Sequence, residues 1–285
     1  MRTPTTGTLS VPGASLYYEV RGSGPLLLLI PTGNGDAGPF RGLASLLADR
    51  YTVLSYDRRG HSRSTMDEPM DSGKQLDFDV EDVVSLLDHF GDGPSDVYAT
   101  CSGGTIAVAL MERYPNRVRT MVVHEPPLIS VLPDADTELA FHAELHRIFV
   151  EHGIDAAKDR FRAYLGTNGA TRPPDEFQPP EDELKEMLGR IGVNLTLWFT
   201  HELRNFPWVR PDLDALGAVA DRLVLAGGTD SPKDQSSYRA NEILAERLGL
   251  PLVHFPGGHV GHVTHPVEFA EQLTEVLESG ARTPR

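Results

Sequence analysis

Cysteine is all but missing from this chain: 285 residues contain one, Cys101. A single thiol cannot form an intramolecular disulfide, so nothing ties the chain to an oxidising compartment. Long apolar runs are missing as well. The longest, Leu26 to Ile30, falls far short of the ~20 residues that cross a bilayer. Positive charge is scarce, with 26 Lys and Arg against 41 Asp and Glu. The resulting net charge of −15 argues against nucleic acid or an anionic membrane as partner. The N-terminal string Met1-Arg2-Thr3-Pro4-Thr5-Thr6-Gly7 lacks the apolar core of a secretion signal, which makes a cytoplasmic location the expectation. Repeats and low-complexity tracts are also absent. What is there is ordinary for a globular protein: 40% hydrophobic residues and enough length for one α/β domain with an insertion.

Hydrophobic patterning alternates between strand and helix. Thr8–Val11 and Ser15–Val20 flank the turn pair Pro12-Gly13 and read as a hairpin. Leu26–Ile30 is uniformly apolar, as in a strand covered on both faces of a parallel sheet. A helix over Phe40–Ala48 and a strand over Tyr51–Tyr56 follow. Val80, Val83, Val84, Leu87 and Phe90 recur at helical spacing. Then come strand Val97–Thr100, helix Gly104–Tyr114, strand Val118–Val123 and, much later, strand Arg222–Ala226, helix Tyr238–Leu248, strand Leu252–Phe255 and helix Val267–Leu277. Such alternation predicts a doubly wound α/β fold with helices on both faces of the sheet.

Between about Glu125 and Leu213 the alternation stops. Phe141, Leu145 and Phe149, then Leu184, Met187, Leu188 and Ile191, suggest amphipathic helices separated by a proline-rich turn, Thr171–Pro180. A helical insertion after a sheet strand reads as a cap over the strands' C-terminal edge. The organisation is therefore a core from residues 1–124, a helical cap at 125–213 and a second core part at 214–285. His142, His146, Trp198, Phe199, His201 and Trp208 are the cap side chains that could line a pocket.

Cys101 sits in Asp96-Val97-Tyr98-Ala99-Thr100-Cys101-Ser102-Gly103-Gly104-Thr105, a strand, a tight turn and a helix. This has the form of the nucleophile elbow G-x-S-x-G, with Ala99 for the first glycine and cysteine for serine. Small neighbours are required because the nucleophile's backbone is strained and adjacent segments pack close. Centring the motif on Ser102 instead would put β-branched Thr100 at a crowded position. The string Arg113-Tyr114-Pro115-Asn116-Arg117-Val118 resembles one that follows the elbow helix in the α/β-hydrolase superfamily, and its spacing fits Cys101. Asp57-Arg58-Arg59-Gly60-His61-Ser62-Arg63-Ser64 resembles the superfamily's D-x-R-G-x-G-x-S, a brace with no chemistry of its own. The resemblance implies a mostly parallel eight-stranded sheet and a nucleophile–acid–histidine order of triad residues.

Asp230, in Gly227-Gly228-Thr229-Asp230, follows a strand at the edge where sheet active sites assemble. His259, in Pro256-Gly257-Gly258-His259, matches the superfamily's catalytic "GH" position; His262 is a weaker substitute and His265-Pro266 resembles a recurrent helix start. The resemblance thus implies a Cys101–His259–Asp230 triad. Glu125, directly after strand Val118–Val123, is the alternative acid, because some members, haloalkane dehalogenases among them, place it there. The oxyanion hole would take its N–H groups from Ser102 and from Gly33 in Pro31-Thr32-Gly33-Asn34, where the superfamily usually shows "HG".

A thiol narrows the chemistry. Free cysteine has a pKa near ~8.5, so a tetrahedral intermediate tends to expel the thiolate unless the other leaving group is good. The expectation is a cofactor-independent hydrolase, without a metal, acting on a small, largely apolar activated ester, lactone or thioester through a thioester intermediate. Dienelactone hydrolases, a capless branch of the superfamily, use cysteine on enol lactones. Alternatives are acyl transfer, a lyase or cyclase step in the same pocket, or a ligand-binding protein on a hydrolase scaffold. The partner is a small-molecule substrate, and a homodimer stays open.

Overall fold

A computed structural model describes residues 3–165 and 172–280 of the chain. Met1 and Arg2 of the N-terminal string and Thr171 of the proline-rich turn lie outside the described residues. The strands are β1 Thr5–Val11, β2 Ala14–Arg21, β3 Leu26–Ile30, β4 Thr52–Tyr56, β5 Thr65–Met66, β6 Ser95–Thr100, β7 Val118–His124, β8 Leu223–Gly228 and β9 Leu252–Phe255. The α-helices are α1 Arg41–Leu47, α2 Gln75–Phe90, α3 Ser102–Arg113, α4 Ala135–Leu165, α5 Glu181–Thr200, α6 Leu213–Gly217, α7 Ser236–Leu248, α8 Gly261–Thr264 and α9 Pro266–Ser279. Strand order is β1-β2-β4-β3-β6-β7-β8-β9, with the two-residue β5 pairing β2. The β1–β2 and β2–β4 pairs are antiparallel, and every pair from β4 to β9 is parallel. The α/β class and mostly parallel sheet follow the sequence reading.

Two-residue periodicity sorts the sheet side chains into two cores. Leu26, Leu28, Ile30, Val97, Ala99, Met121 and Val123 face α2, α3 and α7. Leu27, Leu29, Tyr98, Val122, Val224 and Ala226 face α1 and α9 on the other side. Every residue of β3 and β6 is buried, which explains the unbroken apolar run in β3. Helix α3 is buried from Ser102 to Met111, and Gly103 permits that depth. A Cβ there would stand 2.4 Å from the Pro31 carbonyl oxygen and 2.6 Å from that of Ile30. The small residue predicted beside the nucleophile is thus required by close approach to the end of β3.

Helices α4 and α5 form the predicted helical stretch between β7 and β8. They carry a small core of their own, Leu145, Ala157, Phe199 and Leu203, with Phe149, Phe161 and Trp198 packed against it. Helix α4 breaks at Gly153, whose φ of 85° is not helical. Helix α5 is stitched to the loops beyond β3 and β4. Arg190 Nε donates to Asp36 at 2.8 Å, Asn194 Nδ2 donates to the Asn34 carbonyl at 2.6 Å, and Asn194 Oδ1 accepts from the Ser62 N–H at 3.0 Å. Asp57 ties these loops together, accepting from the Ala37 N–H at 2.8 Å and from Arg63 Nε at 2.6 Å. That is the bracing expected of the Asp57–Ser64 string.

Candidate active site

Thr100 and His124 are the last register partners of β6 and β7. The residues that follow them, Cys101 and Glu125, therefore leave adjacent strands side by side. Both turn through positive φ, 53° at Cys101 and 46° at Glu125, a conformation that costs a non-glycine residue about 1–3 kcal/mol. The Cys101 N–H still reaches the His124 carbonyl at 3.0 Å, and the Glu125 N–H reaches that of Ala226 at 3.2 Å. The ladder thus fixes both backbones while their side chains swing into the space beyond the sheet. Cys101 lies half-buried at the N-terminus of α3.

His259 joins the two. Its Nδ1 stands 2.7 Å from Glu125 Oε2, and its ring is the charge and hydrogen-bond partner of the Cys101 sulfur. Burial pushes the Cys101 thiol up, but the His259 charge and hydrogen bond, with the backbone N–H groups of Ser102 and Gly33, outweigh it and hold the thiol below its usual range. Burial alone would lower His259; the neighbouring sulfur and carboxylate instead hold it well above the ordinary imidazole range. Glu125 is fully buried, which would raise its carboxyl, yet the bond to His259 and the nearby positive charge pull it down to about 2. Its other oxygen accepts the Gly228 N–H at 2.8 Å. The three groups suit a thiolate, an imidazolium and a carboxylate in line.

Here the structure departs from the sequence reading. Asp230 is exposed; its carboxylate is met by the neighbouring Thr229 hydroxyl at 3.3 Å, and its N–H is held by the Gly257 carbonyl at 2.9 Å. The acid on His259 is Glu125, the alternative. The reason lies at the end of β8, where a Cβ on Gly228 would fall 2.5 Å from the Gly257 carbonyl oxygen. Gly228 fits against the His259 loop and spends its N–H on Glu125, while the chain carries Asp230 outward.

The two expected oxyanion donors converge, since the N–H groups of Gly33 and Ser102 both act on the Cys101 sulfur. Cys101, Ser102, Gly33 and His259 line a cavity of about 380 Å³ roofed by α4 and α5. Of the candidate roof residues, His142, Trp198 and Phe199 line it. His146 and Trp208 border a different cleft, and His201 meets Ser72 Oγ at 2.5 Å. His262 is buried behind the site with its Nδ1 3.4 Å from Tyr98 Oη, and His265 pairs with Thr264. Two buried residues went unnoticed in the sequence. His124 lies beneath His259, with ring centroids 6.5 Å apart, and burial drops its pKa to about 4. Glu202, just past α5, is buried in the cavity wall. No sequence signal marked either one. Among the described residues no group of three or more His, Cys, Asp or Glu side chains is placed to hold a metal ion.

Comparison with known proteins bears on this geometry. Residues 25–266 match the family described as alpha/beta hydrolase fold. The chain belongs to the α/β-hydrolase family. It is 33% identical over 279 residues to an uncharacterized hydrolase, YraK, of Bacillus subtilis (strain 168), covering 97% of each chain. It is 28% identical over 284 residues to a zearalenone hydrolase of Bionectria ochroleuca, covering 96% of this chain and 98% of that one. Among solved structures, the enol-lactonase from Burkholderia xenovorans LB400 superposes with a TM-score of 0.68 at 16% identity, covering 95% of this α/β-hydrolase and 100% of that chain. That likeness shows the fold. The family and the relatives make this protein a hydrolase of the α/β-hydrolase superfamily. None of the described helices is long and apolar enough to cross a membrane.

Proposed function

We propose that this α/β-hydrolase cleaves a small, largely apolar activated ester, lactone or thioester with a Cys101–His259–Glu125 triad, and that residues 125–213 act as its cap. The supporting observation is His259, which meets Glu125 through Nδ1 and Cys101 across the same ring beside an apolar cavity. The Cys101 thiolate attacks the acyl carbon, and the N–H groups of Gly33 and Ser102 receive the negative charge that develops on the carbonyl oxygen. The His259 imidazolium gives its proton to the departing oxygen or sulfur. Glu125 holds the ring in one tautomer and stabilises its charge. The acyl group then rests on Cys101 as a thioester until water, deprotonated by His259, attacks it and restores the thiol.

Sulfur sets the substrate class. A thiolate leaves a tetrahedral intermediate more readily than an alkoxide, so the reaction moves forward only when the competing leaving group is itself good. Trp198, Phe199 and Phe161 give the cavity apolar walls, consistent with a compact hydrophobic acyl group. Zearalenone, named for one relative, joins aryl esters and thioesters as a substrate to assay. The test is direct because Cys101 is the chain's only cysteine. Iodoacetamide abolishes turnover and modifies one site, Cys101→Ala is inactive, and brief exposure to an aryl thioester leaves an acyl mass on the intact protein. Turnover that persists in Cys101→Ala sinks the reading.

A further inference from the structure

The apolar stripe Leu184, Met187, Leu188 and Ile191 on α5 takes no part in the cap's own core. Leu184, Met187 and Ile191 are half-buried, and Leu188 is 56% exposed. All four line a second cavity, of about 280 Å³, faced by Phe177, Val263 and Pro266 from other segments. The stripe runs on along the helix. Leu195, Trp198 and Phe199 come four, seven and eight residues after Ile191, which keeps them on the same helix face, and these three line the Cys101 cavity. One apolar face of α5 thus roofs first one cavity and then the other.

The opposite walls are shared as well. Thr32, Asn34 and Val260 line both cavities. Thr32 and Asn34 flank Gly33, whose N–H acts on the Cys101 sulfur, and Val260 directly follows His259. The second cavity therefore adjoins the first at the two loops that carry the oxyanion donor and the proton donor. An amphipathic helix ordinarily turns its apolar stripe onto a core. Apolar surface left open beside a catalytic cavity is instead suited to a ligand. The reaction says which part of the ligand. His259 protonates the departing oxygen or sulfur, so the leaving group lies on the histidine side of the scissile bond and the acyl chain on the other. The second cavity begins beyond that histidine.

We propose that the cavity under residues 184–191 is a leaving-group chamber, distinct from the acyl cavity at Cys101, and that it selects substrates whose departing alcohol or thiol is bulky and apolar. The chamber rests on the Cys101 cavity being the place of acyl attack, as proposed above, and it makes Leu184, Leu188 and Ile191 specificity-determining residues for the leaving group.

Thioesters of benzenethiol and 4-tert-butylbenzenethiol, each as the acetyl and the butyryl compound, vary the two ends of the substrate separately, because the two thiols depart with similar ease. Wild-type kcat/KM is roughly tenfold higher for the tert-butyl leaving group, as expected when part of four added carbons is buried. Ile191→Asp and Leu188→Asp, both outside the cap's core, bring that ratio close to one and leave the butyryl-to-acetyl ratio in place. Phe161→Ala, which alters only the Cys101 cavity, does the reverse. Binding is read without turnover: Cys101→Ala takes up 4-tert-butylphenol in a calorimetric titration, and adding Ile191→Asp weakens the uptake roughly tenfold. A wild-type leaving-group ratio of one, or a ratio that survives both Ile191→Asp and Leu188→Asp, overturns the chamber. If Leu188→Asp dissociates a dimer while both ratios stand, the stripe belongs to a second copy of the chain and the chamber falls. Wild-type protein that hydrolyses none of the four thioesters defeats the thiol chemistry and leaves phenol binding to decide the chamber independently.

Discussion

Replacing Glu125 with Gln and Asp230 with Asn puts the carboxylate assignment to a quantitative test. Glu125 Oε2 meets His259 Nδ1 at 2.7 Å, and its other oxygen takes the Gly228 N–H at 2.8 Å. Gln has the same shape but no charge. If its oxygen keeps the Gly228 N–H, its amide N–H₂ faces His259 Nδ1, and the ring must turn that nitrogen into an acceptor. Exchanging a charge-assisted hydrogen bond for a neutral one forfeits roughly 1–1.5 kcal/mol, about one pH unit on the imidazolium. His259 is held above its usual range in part by this carboxylate, so removing the charge lowers its pKa. The sign follows: His259 must carry a proton to release the leaving group, so the alkaline limb of kcat/KM moves to lower pH by about one unit. Loss of the productive tautomer adds to this, and kcat falls by roughly 10²–10⁴-fold, the upper figure being the handicap of an amide in the equivalent place of a serine triad. Asp230→Asn, on an exposed side chain bonded only to its neighbour, leaves both rate and limb at wild-type values. The assay is hydrolysis of an aryl thioester across the pH range with both variants side by side. An unmoved limb in Glu125→Gln, or a collapse in Asp230→Asn, refutes the assignment.

Gly103→Ala drives a Cβ to 2.4 Å from the Pro31 carbonyl, backbone against backbone, and destabilises the fold by about 1–3 kcal/mol. A thermal melt matching wild type, with activity intact, contradicts that. Acid stability is the last measurement. Burial drops His124 to about 4 and His61 and His262 to about 3, so each favours the native state above the unfolded value near ~6.5 and withdraws that support as pH falls through its native pKa. Glu125, lowered from 4.5 to about 2, adds a loss in the window between those values. Urea titrations from pH 7 to 3 therefore show stability falling from about pH 6.5 downward, and His124→Phe removes part of that slope; an unchanged slope disproves the claim for His124.

The strands and the tight turn at Cys101 were legible because each rests on local chemistry. Leu26–Ile30 could only be a strand covered on both faces, and Gly103 beside Cys101 marked a turn too tight for a larger residue. The acid was not legible in the same way. Asp230 and Glu125 both follow the C-terminal ends of neighbouring parallel strands, and both are carboxylates. What separates them is a positive φ at Glu125 and the seating of Gly228 against Gly257, neither of which leaves a pattern in residue types. Glu202 was illegible for a related reason. It reaches the cavity from the loop after α5, and its partners Arg58 and Gln75 are distant in sequence.

Backbone strain gives an independent reason to take Cys101 and Glu125 as one device. Among the described residues three non-glycines have positive φ: Ser62, Cys101 and Glu125. Ser62 belongs to the brace, its N–H held by Asn194 and its hydroxyl by Asp36, so all three belong to the site or to its support. Each conformation costs about 1–3 kcal/mol and persists only where the surroundings over-determine it. For Cys101 and Glu125 the surroundings are the same: successive bonds of one ladder, running from Cys101 to the His124 carbonyl and from Glu125 to that of Ala226. A fold that needed Cys101 only as a small apolar side chain would gain nothing from holding both residues in this way. The strain is intelligible if the thiol and the carboxylate must reach the two sides of a single imidazole, and His259 is where they meet.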